Sequence, residues 1–407
     1  MGKESGFRDF MNRLNIGLIG TGVRGIAVAE SMKKSFPGIT GVTALADTNP
    51  VRLNAASEDL NVPKERCFID YNDLLALDDV DAVIVATPDF AHVHPSVRAL
   101  QAGKYVYCEK AMATTIEDAN SMVQAAKSSG KFLYAGHNMR FMSALAKVNE
   151  LIKAGEIGNV KMVWARRFVE GSKYFHRWHR YQEKSGGLLV HKGSHLLDQL
   201  NWNSFSRPIS VIASGGLDVY KAREDAPRRC KDCPERYECS HAWNIEQGNS
   251  KRYYLDAEKE DGYIWDTCIY YPGSDVFDNA TVMIEYANGV RATYMECHFA
   301  PLSDKDSEVG VMGDEGMVIG NFSKNVTILK KMATKEVVTF ELPRNVGGHG
   351  GADELITRDF VDCILKGRYP ESDVEAGWDS AILGIAAMRS AREGRKLKID
   401  PVNHEVK

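Results

Sequence analysis

The chain has 407 residues, 44% hydrophobic and 26% charged, with a formal net charge of −4. That length supports two or three domains, each with its own core. The acidic balance argues against a general nucleic-acid binder, and no apolar run nears the roughly eighteen residues that span a bilayer.

The N-terminal "MGKESGFRDFMNRLN" lacks the apolar core of a secretory signal, so a cytoplasmic protein is expected. From residue 14 the pattern alternates. "LNIGLIG" reads as a strand, "GIAVAESMKKSF" as a helix, "GITGVTALAD" as a strand and "NPVRLNAASEDL" as a helix. "VDAVIVATP" is an almost unbroken apolar strand, as expected when helices cover both faces. "HPSVRALQAG", "KYVYCEK", "TIEDANSMVQAAKSSG" and "KFLYAGH" continue the alternation. This predicts an α/β fold with a doubly wound parallel sheet over 14–136.

Beyond residue 137 the texture is α+β. "ALAKVNELIKAG" reads as a helix, "VKMVWARRFVEG" as a strand, and "GGLLVHKGSHLLDQLNW" as a helix from its glycines onward. A polar, Cys-containing insert occupies about 222–268. "NATVMIEYANGVRATYMECHF" and "DSEVGVMGDEGMVIGNF" follow as strands joined by Asn-Gly and Asp-Glu-Gly turns, predicting a large open antiparallel sheet. Two amphipathic helices, "DELITRDFVDCILKG" and "SAILGIAAMRSAREG", complete a second domain over 137–407.

The first strand ends in "GTGVRG", which spaces Gly20, Gly22 and Gly25 as GxGxxG. Such a turn brings a pyrophosphate onto the amides that open the next helix, at Val23 and Arg24. Asp47 follows Gly25 by 22 residues, at the end of the next strand. An acidic group there accepts from the adenosine ribose and repels a 2′-phosphate, so NAD is expected over NADP. Arg52 is expected on an exposed helix face.

Four cysteines, Cys67, Cys108, Cys297 and Cys363, stand singly in apolar surroundings. "CKDCPERYECSHAW" instead gives Cys230, Cys233 and Cys239, with Cys268 a polar stretch later. Four thiolates make a closed structural zinc site, with His241 an alternative fourth ligand. An iron–sulfur cluster would use the same thiolates.

"GLIGTGVRG", "ALADTNP", "ATPDFAHVHP", "CEKAMATT" and "GHNMRF" resemble the Gfo/Idh/MocA oxidoreductases in order and spacing. The resemblance continues through "GGLLVHKGSHLLDQLNW", "DNATVMIEYANGVRA" and "GHGGAD". It implies that Lys110, beside Glu109, lies next to the nicotinamide and the reacting hydroxyl. In the family a proline usually follows that pair, and here Ala111 stands instead. Thr87, Pro88 and His92 would border the cofactor, with Asn138 and Arg140 approaching cofactor and substrate. His195 matches the family's catalytic histidine, and His191 replaces the usual aspartate four residues before it. Both would share one helix face.

Between these motifs, Tyr174, His176, Arg177, Trp178 and His179 mix aromatic faces with donors, which suits a hydroxylated ring ligand better than nucleic acid. The resulting expectation is an NAD-dependent oxidoreductase of a sugar, glycoside or cyclitol, with NAD tightly held in some readings. A net glycosidase that oxidises transiently, eliminates, adds water and reduces again remains the alternative. A non-catalytic NAD-binding regulator is a third. The open sheet suggests a homodimer or homotetramer.

Overall fold

In the computed structural model, which describes residues 14–301, 307–343 and 347–407, the alternating apolar runs become one six-stranded parallel sheet. Its strands are β1 (Leu14–Ile19), β2 (Thr40–Ala46), β3 (Cys67–Phe68), β4 (Ala82–Val85), β5 (Tyr105–Cys108) and β6 (Leu133–Ala135), in the order β3-β2-β1-β4-β5-β6. Every residue of β4 is buried, so its unbroken apolar run meets helices on both faces. Asn49 caps the helix Pro50–Leu60 by accepting from the Val51 and Arg52 amides, and Thr115 caps Ile116–Ser129 through the Asp118 amide. The order reverses between β1 and β4, and ligands of such sheets bind at that crevice. The two-residue strand β3 has too little pattern to be read from sequence.

The second half forms a ten-stranded sheet from β7 (Val160–Phe168), β8 (Pro208–Gly216), β9 (Asn279–Tyr286), β10 (Arg291–Cys297), β11 (Glu308–Gly313), β12 (Gly316–Asn321), β13 (Val326–Lys331), β14 (Val337–Glu341), β15 (Leu397–Asp400) and β16 (Glu405–Val406). Pairing is antiparallel except between β7 and β10, which run parallel with Tyr294 opposite Ala165. Alternation along β9 is strict: Ala280, Val282, Ile284 and Tyr286 point into the core. The helices Ser194–Ser204 and Val374–Glu393 cover that face, with Trp378 fully buried between the layers. The opposite face carries exposed Met162, Ile212, Met283 and Met295.

The insert between β8 and β9 folds back over the six-stranded half. Among the described residues, no group of three or more His, Cys, Asp or Glu side chains is arranged to hold a metal ion. The zinc expectation for Cys230, Cys233, Cys239 and Cys268 therefore gains no support; none of the four is in a disulfide, and Cys239 is exposed. The insert is held by other means. Arg229 pairs with Glu258 at 2.7 Å and with Asp266 at 2.7 Å. His176 bridges the Thr267 and His241 carbonyls at 2.7 and 2.9 Å. Arg252 reaches Glu58 at 2.7 Å, and the Asn49 side chain donates to the Ala257 carbonyl at 3.0 Å, tying the insert to the helix after β2.

Candidate active site

A cleft of about 1020 Å³ runs between the two sheets, roofed by the insert. At one end Gly20 turns at φ +90°, and a Cβ there would lie 2.7 Å from the Thr87 amide nitrogen. A Cβ on Gly25 would meet the Gly20 carbonyl oxygen at 2.2 Å, so neither position admits a side chain. Asp47 accepts from the Thr21 amide at 2.9 Å and the Thr21 hydroxyl at 3.0 Å, fixing its carboxylate at the lip of the groove. This cradle fits a dinucleotide: glycines where the backbone must approach, helix amides for phosphate, and an acid for the ribose. Arg52 is not on an exposed face. It lies between Asp47 at 3.5 Å and Asp261 of the insert at 2.6 Å.

The insert supplies the opposite wall. Tyr254 stacks on Trp265 with centroids 3.4 Å apart, and its hydroxyl accepts from the Val23 amide at 3.3 Å. Arg177 is sandwiched between the Trp243 and Trp265 rings, 4.3 and 4.0 Å from their centroids. Trp178 stacks on His179 with centroids 3.9 Å apart.

Arg24 turns to the other end of the cleft. It donates to Glu109 at 2.9 Å and bidentately to Asp353 at 2.7 and 3.1 Å. Asp353 also accepts from Asn138 at 2.7 Å and lies 3.1 Å from His349 Nδ1. Glu109 is therefore no solvated turn charge, and neither is its neighbour. Lys110 Nζ donates to the His191 carbonyl at 2.8 Å, and His191 Nδ1 lies 2.7 Å from Asp89 Oδ2. The carboxylate that the sequence lacks at position 191 thus arrives from the loop after β4. Burial pulls Lys110 below the ordinary lysine value, opposed by Asp89 and Glu109. The same burial lifts Asp89 well above the usual carboxylate range, with Lys110 opposing.

His195 lines the same end, 2% exposed, and neither ring nitrogen has a hydrogen-bond partner among the described residues. Burial first, then Lys192, Lys110 and His349, hold its pKa well below the usual 6.5. The imidazole is therefore neutral at neutral pH and free to accept a proton. The helix expected over 186–202 is broken into Leu188–His191 and Ser194–Ser204. Lys192 and Gly193 both donate to the Leu188 carbonyl, at 2.7 and 2.8 Å. At this widened turn Lys192 enters the cleft with His191 and His195.

The cleft gathers most of the residues expected to form it: Gly20, Gly22, Val23, Arg24, Asp47, Thr87, Pro88, Glu109, Lys110, Asn138, Arg177, Trp178, His179, His191 and His195. Gly25 acts from beneath. His92 has both nitrogens committed, to the Thr87 and Ala111 carbonyls at 2.8 Å each, so it braces the two loops. Tyr174 lies behind His179 and His191, edge-on to both rings. Arg140 and His176 do not line the cleft. Arg140 is locked on Asp198 at 2.6 Å, and His176 serves the insert. Asp89, Lys192, His349 and the insert's Tyr254 and Trp265 went unread. Asp89, Lys192 and His349 lie inside the motifs "ATPDFAHVHP", "GGLLVHKGSHLLDQLNW" and "GHGGAD", which carried no role for them, and Tyr254 and Trp265 lie in no such motif.

Two family models match in sequence order: "Oxidoreductase family, NAD-binding Rossmann fold" over residues 14–137, and "Oxidoreductase family, C-terminal alpha/beta domain" over residues 149–399, both Gfo/Idh/MocA. The chain belongs to the Gfo/Idh/MocA family. It is an NAD-binding member of an oxidoreductase family, with the two-part α/β architecture that family models describe. The putative oxidoreductase YteT of Bacillus subtilis is 29% identical, covering 88% of this chain and 90% of that one. The 2,7-anhydro-N-acetylneuraminate hydratase of Mediterraneibacter gnavus is 32% identical over 51% of this chain and 53% of its own length. A levoglucosan dehydrogenase solved with NADH and L-sorbose superposes with a TM-score of 0.76 at 20% identity, covering 95% of this chain and 99% of that one. At that identity the superposition speaks for the fold.

Proposed function

We propose that this Gfo/Idh/MocA member oxidises a ring hydroxyl carbon of a sugar, glycoside or cyclitol. The observation that carries the reading is the buried imidazole of His195, without a hydrogen-bond partner among the described residues and set in the same end of the cleft as Lys110. NAD, when bound, supplies the hydride acceptor. His195 removes the proton from the substrate hydroxyl oxygen, and Lys110 donates to that oxygen as charge builds on it. His191, oriented by Asp89, is the second proton carrier. In the dinucleotide groove Asp47 takes the ribose, and Arg52 is committed to two carboxylates and is not free to favour a 2′-phosphate.

Two of the similar proteins are named for sugar-like molecules, levoglucosan and 2,7-anhydro-N-acetylneuraminate. Incubation with NAD and a panel of free sugars and glycosides tests the proposal. Stoichiometric NADH supports it, and no turnover of any member rejects it. A net glycosidase or hydratase is the second reading, favoured by the insert folded over the groove, which suits a cofactor kept through the cycle. Aglycone release without NADH selects it. Segments 14–136 and 137–407 serve as dinucleotide and substrate domains. A second copy packs on the open sheet face, giving a cytoplasmic homodimer or homotetramer that light scattering would detect.

A further inference from the structure

The charges around the reacting end are unequally paired: Glu296 and Glu170 act on Lys192 and Lys173 only through space. Lys110 faces Asp89, Arg24 takes both Glu109 and Asp353, and Glu296 lies 2.9 Å from His298. Lys192, Arg167 and Lys173 form no salt bridge with any carboxylate among the described residues. Lys192 is 9% exposed and turned into the cleft, and its Nζ forms no hydrogen bond among the described residues. Its Nζ and that of Lys173 lie 5.8 and 5.4 Å from the Tyr174 ring centroid, and the buried Arg167 Nε has no hydrogen-bond partner among the described residues.

Buried cations are normally paired, because burial strips their hydration and like neighbours repel. Here burial pushes Lys192 well below the lysine range, Arg167, Lys110 and Lys173 push the same way, and Glu296 alone opposes them. The cofactor's pyrophosphate is an unsuitable partner. Its amides lie at Val23 and Arg24, against Tyr254 and Arg177, whereas Lys192 sits between His191 and His195 beside Tyr174, on the side of β7 and β10. An anion in direct contact with Lys192 would therefore come from whatever occupies the substrate end.

We infer that the substrate is a carboxylated sugar, whose carboxylate is received by Lys192 with Arg167 behind it. This rests on the sugar oxidoreductase reading and adds the substrate's charge to it. Lys192 is then a specificity-determining residue: it holds one end of the ring so that a hydroxyl reaches His195 and Lys110. A single ammonium on the cleft surface matches a monoanion better than a phosphate ester.

The test is calorimetric binding of D-glucuronate, D-glucose and D-glucose 6-phosphate to the full chain saturated with NAD, before and after Lys192→Met. D-Glucuronate should bind at least tenfold more tightly than D-glucose, and Lys192→Met should remove roughly that factor while moving D-glucose less than about threefold. Equal binding of glucuronate and glucose by the unaltered protein overturns the inference, as does a glucuronate affinity untouched by Lys192→Met. Tighter binding of the phosphate ester than of the uronate also overturns it. A parallel turnover assay on uronides and their neutral counterparts separates the two levels. Neutral sugars consumed as fast as uronides sink the acidic-substrate inference alone, whereas glucuronate binding with no turnover of any sugar sinks the oxidoreductase reading alone.

Discussion

Two walls close the cleft, and different physics holds each. The wall made by β1 and β2 depends on absence: Gly20 and Gly25 stand where a Cβ would fall 2.7 and 2.2 Å from backbone atoms. The insert wall depends on bulk: the Arg177 guanidinium between two tryptophans, Tyr254 flat on Trp265, and Arg229 between two carboxylates. Backbone contacts of the first kind fix a position and tolerate no change. Side-chain stacks of the second kind can loosen without unfolding the sheets. The first wall should therefore set where the cofactor sits, and the second how long it stays.

The sharpest separation comes from the chemistry between the walls. Lys110→Ala and His195→Ala should each lower turnover by about a hundredfold or more, ~3 kcal/mol, with NAD affinity nearly unchanged. The double variant should be little worse than either single one, since both act on one oxygen and its proton. Near-normal turnover of Lys110→Ala at saturating NAD would remove the lysine from the mechanism.

Acid should weaken the insert's anchorage. His176 is buried neutral, with its pKa pushed down to about 4 from 6.5 by burial, against the two carbonyls that oppose it. Because its folded value is depressed, the stability it contributes is complete above pH 6.5 and is lost as pH falls towards 4. The slope is at most about 1.4 kcal/mol per pH unit for one proton. His176→Gln should flatten part of the acid limb of a thermal denaturation series recorded over that window. An identical limb would detach His176 from the acid response.

Asp47→Ala should shift the NAD to NADP affinity ratio by about tenfold towards NADP, as titration of both cofactors would read. An unmoved ratio would take Asp47 away from the adenosine ribose. The smallest effect belongs to the insert. Trp265→Ala removes the floor under Tyr254 and Arg177, and stopped-flow release of NADH should quicken by several-fold to about tenfold with kcat preserved. A fall in kcat as large as that of Lys110→Ala would erase the distinction between the two walls.

The same division explains what could be read from the chain alone. Gly20, Gly22, Gly25, Asp47, Glu109 and Lys110 lie at fixed offsets from strand ends, so local pattern located them. The parallel sheet followed from apolar runs, and the antiparallel half from turn residues. Asp89 escaped because its partner, His191, is 102 residues away and only tertiary packing joins them. Lys192 escaped because the widened turn at Leu188–Gly193 carries no residue pattern that announces it. The cysteine spacing has a strong local meaning, yet no metal-holding group forms among the described residues, and the contacts that seat the segment come from Arg229, His176 and Trp265.

One contact at the meeting of the two walls has a kinetic meaning. The Val23 amide has a single proton, and it is donated to the Tyr254 hydroxyl. A pyrophosphate arriving at the start of that helix needs the same proton, so the tyrosine and the cofactor compete for one donor. Loading therefore requires Tyr254 to withdraw, and Tyr254 cannot withdraw far while Trp265, Arg52–Asp261 and Arg252–Glu58 keep the insert seated. The observed association rate should then level off as NAD concentration rises, at the rate at which the insert lifts, and the plateau would measure that opening directly.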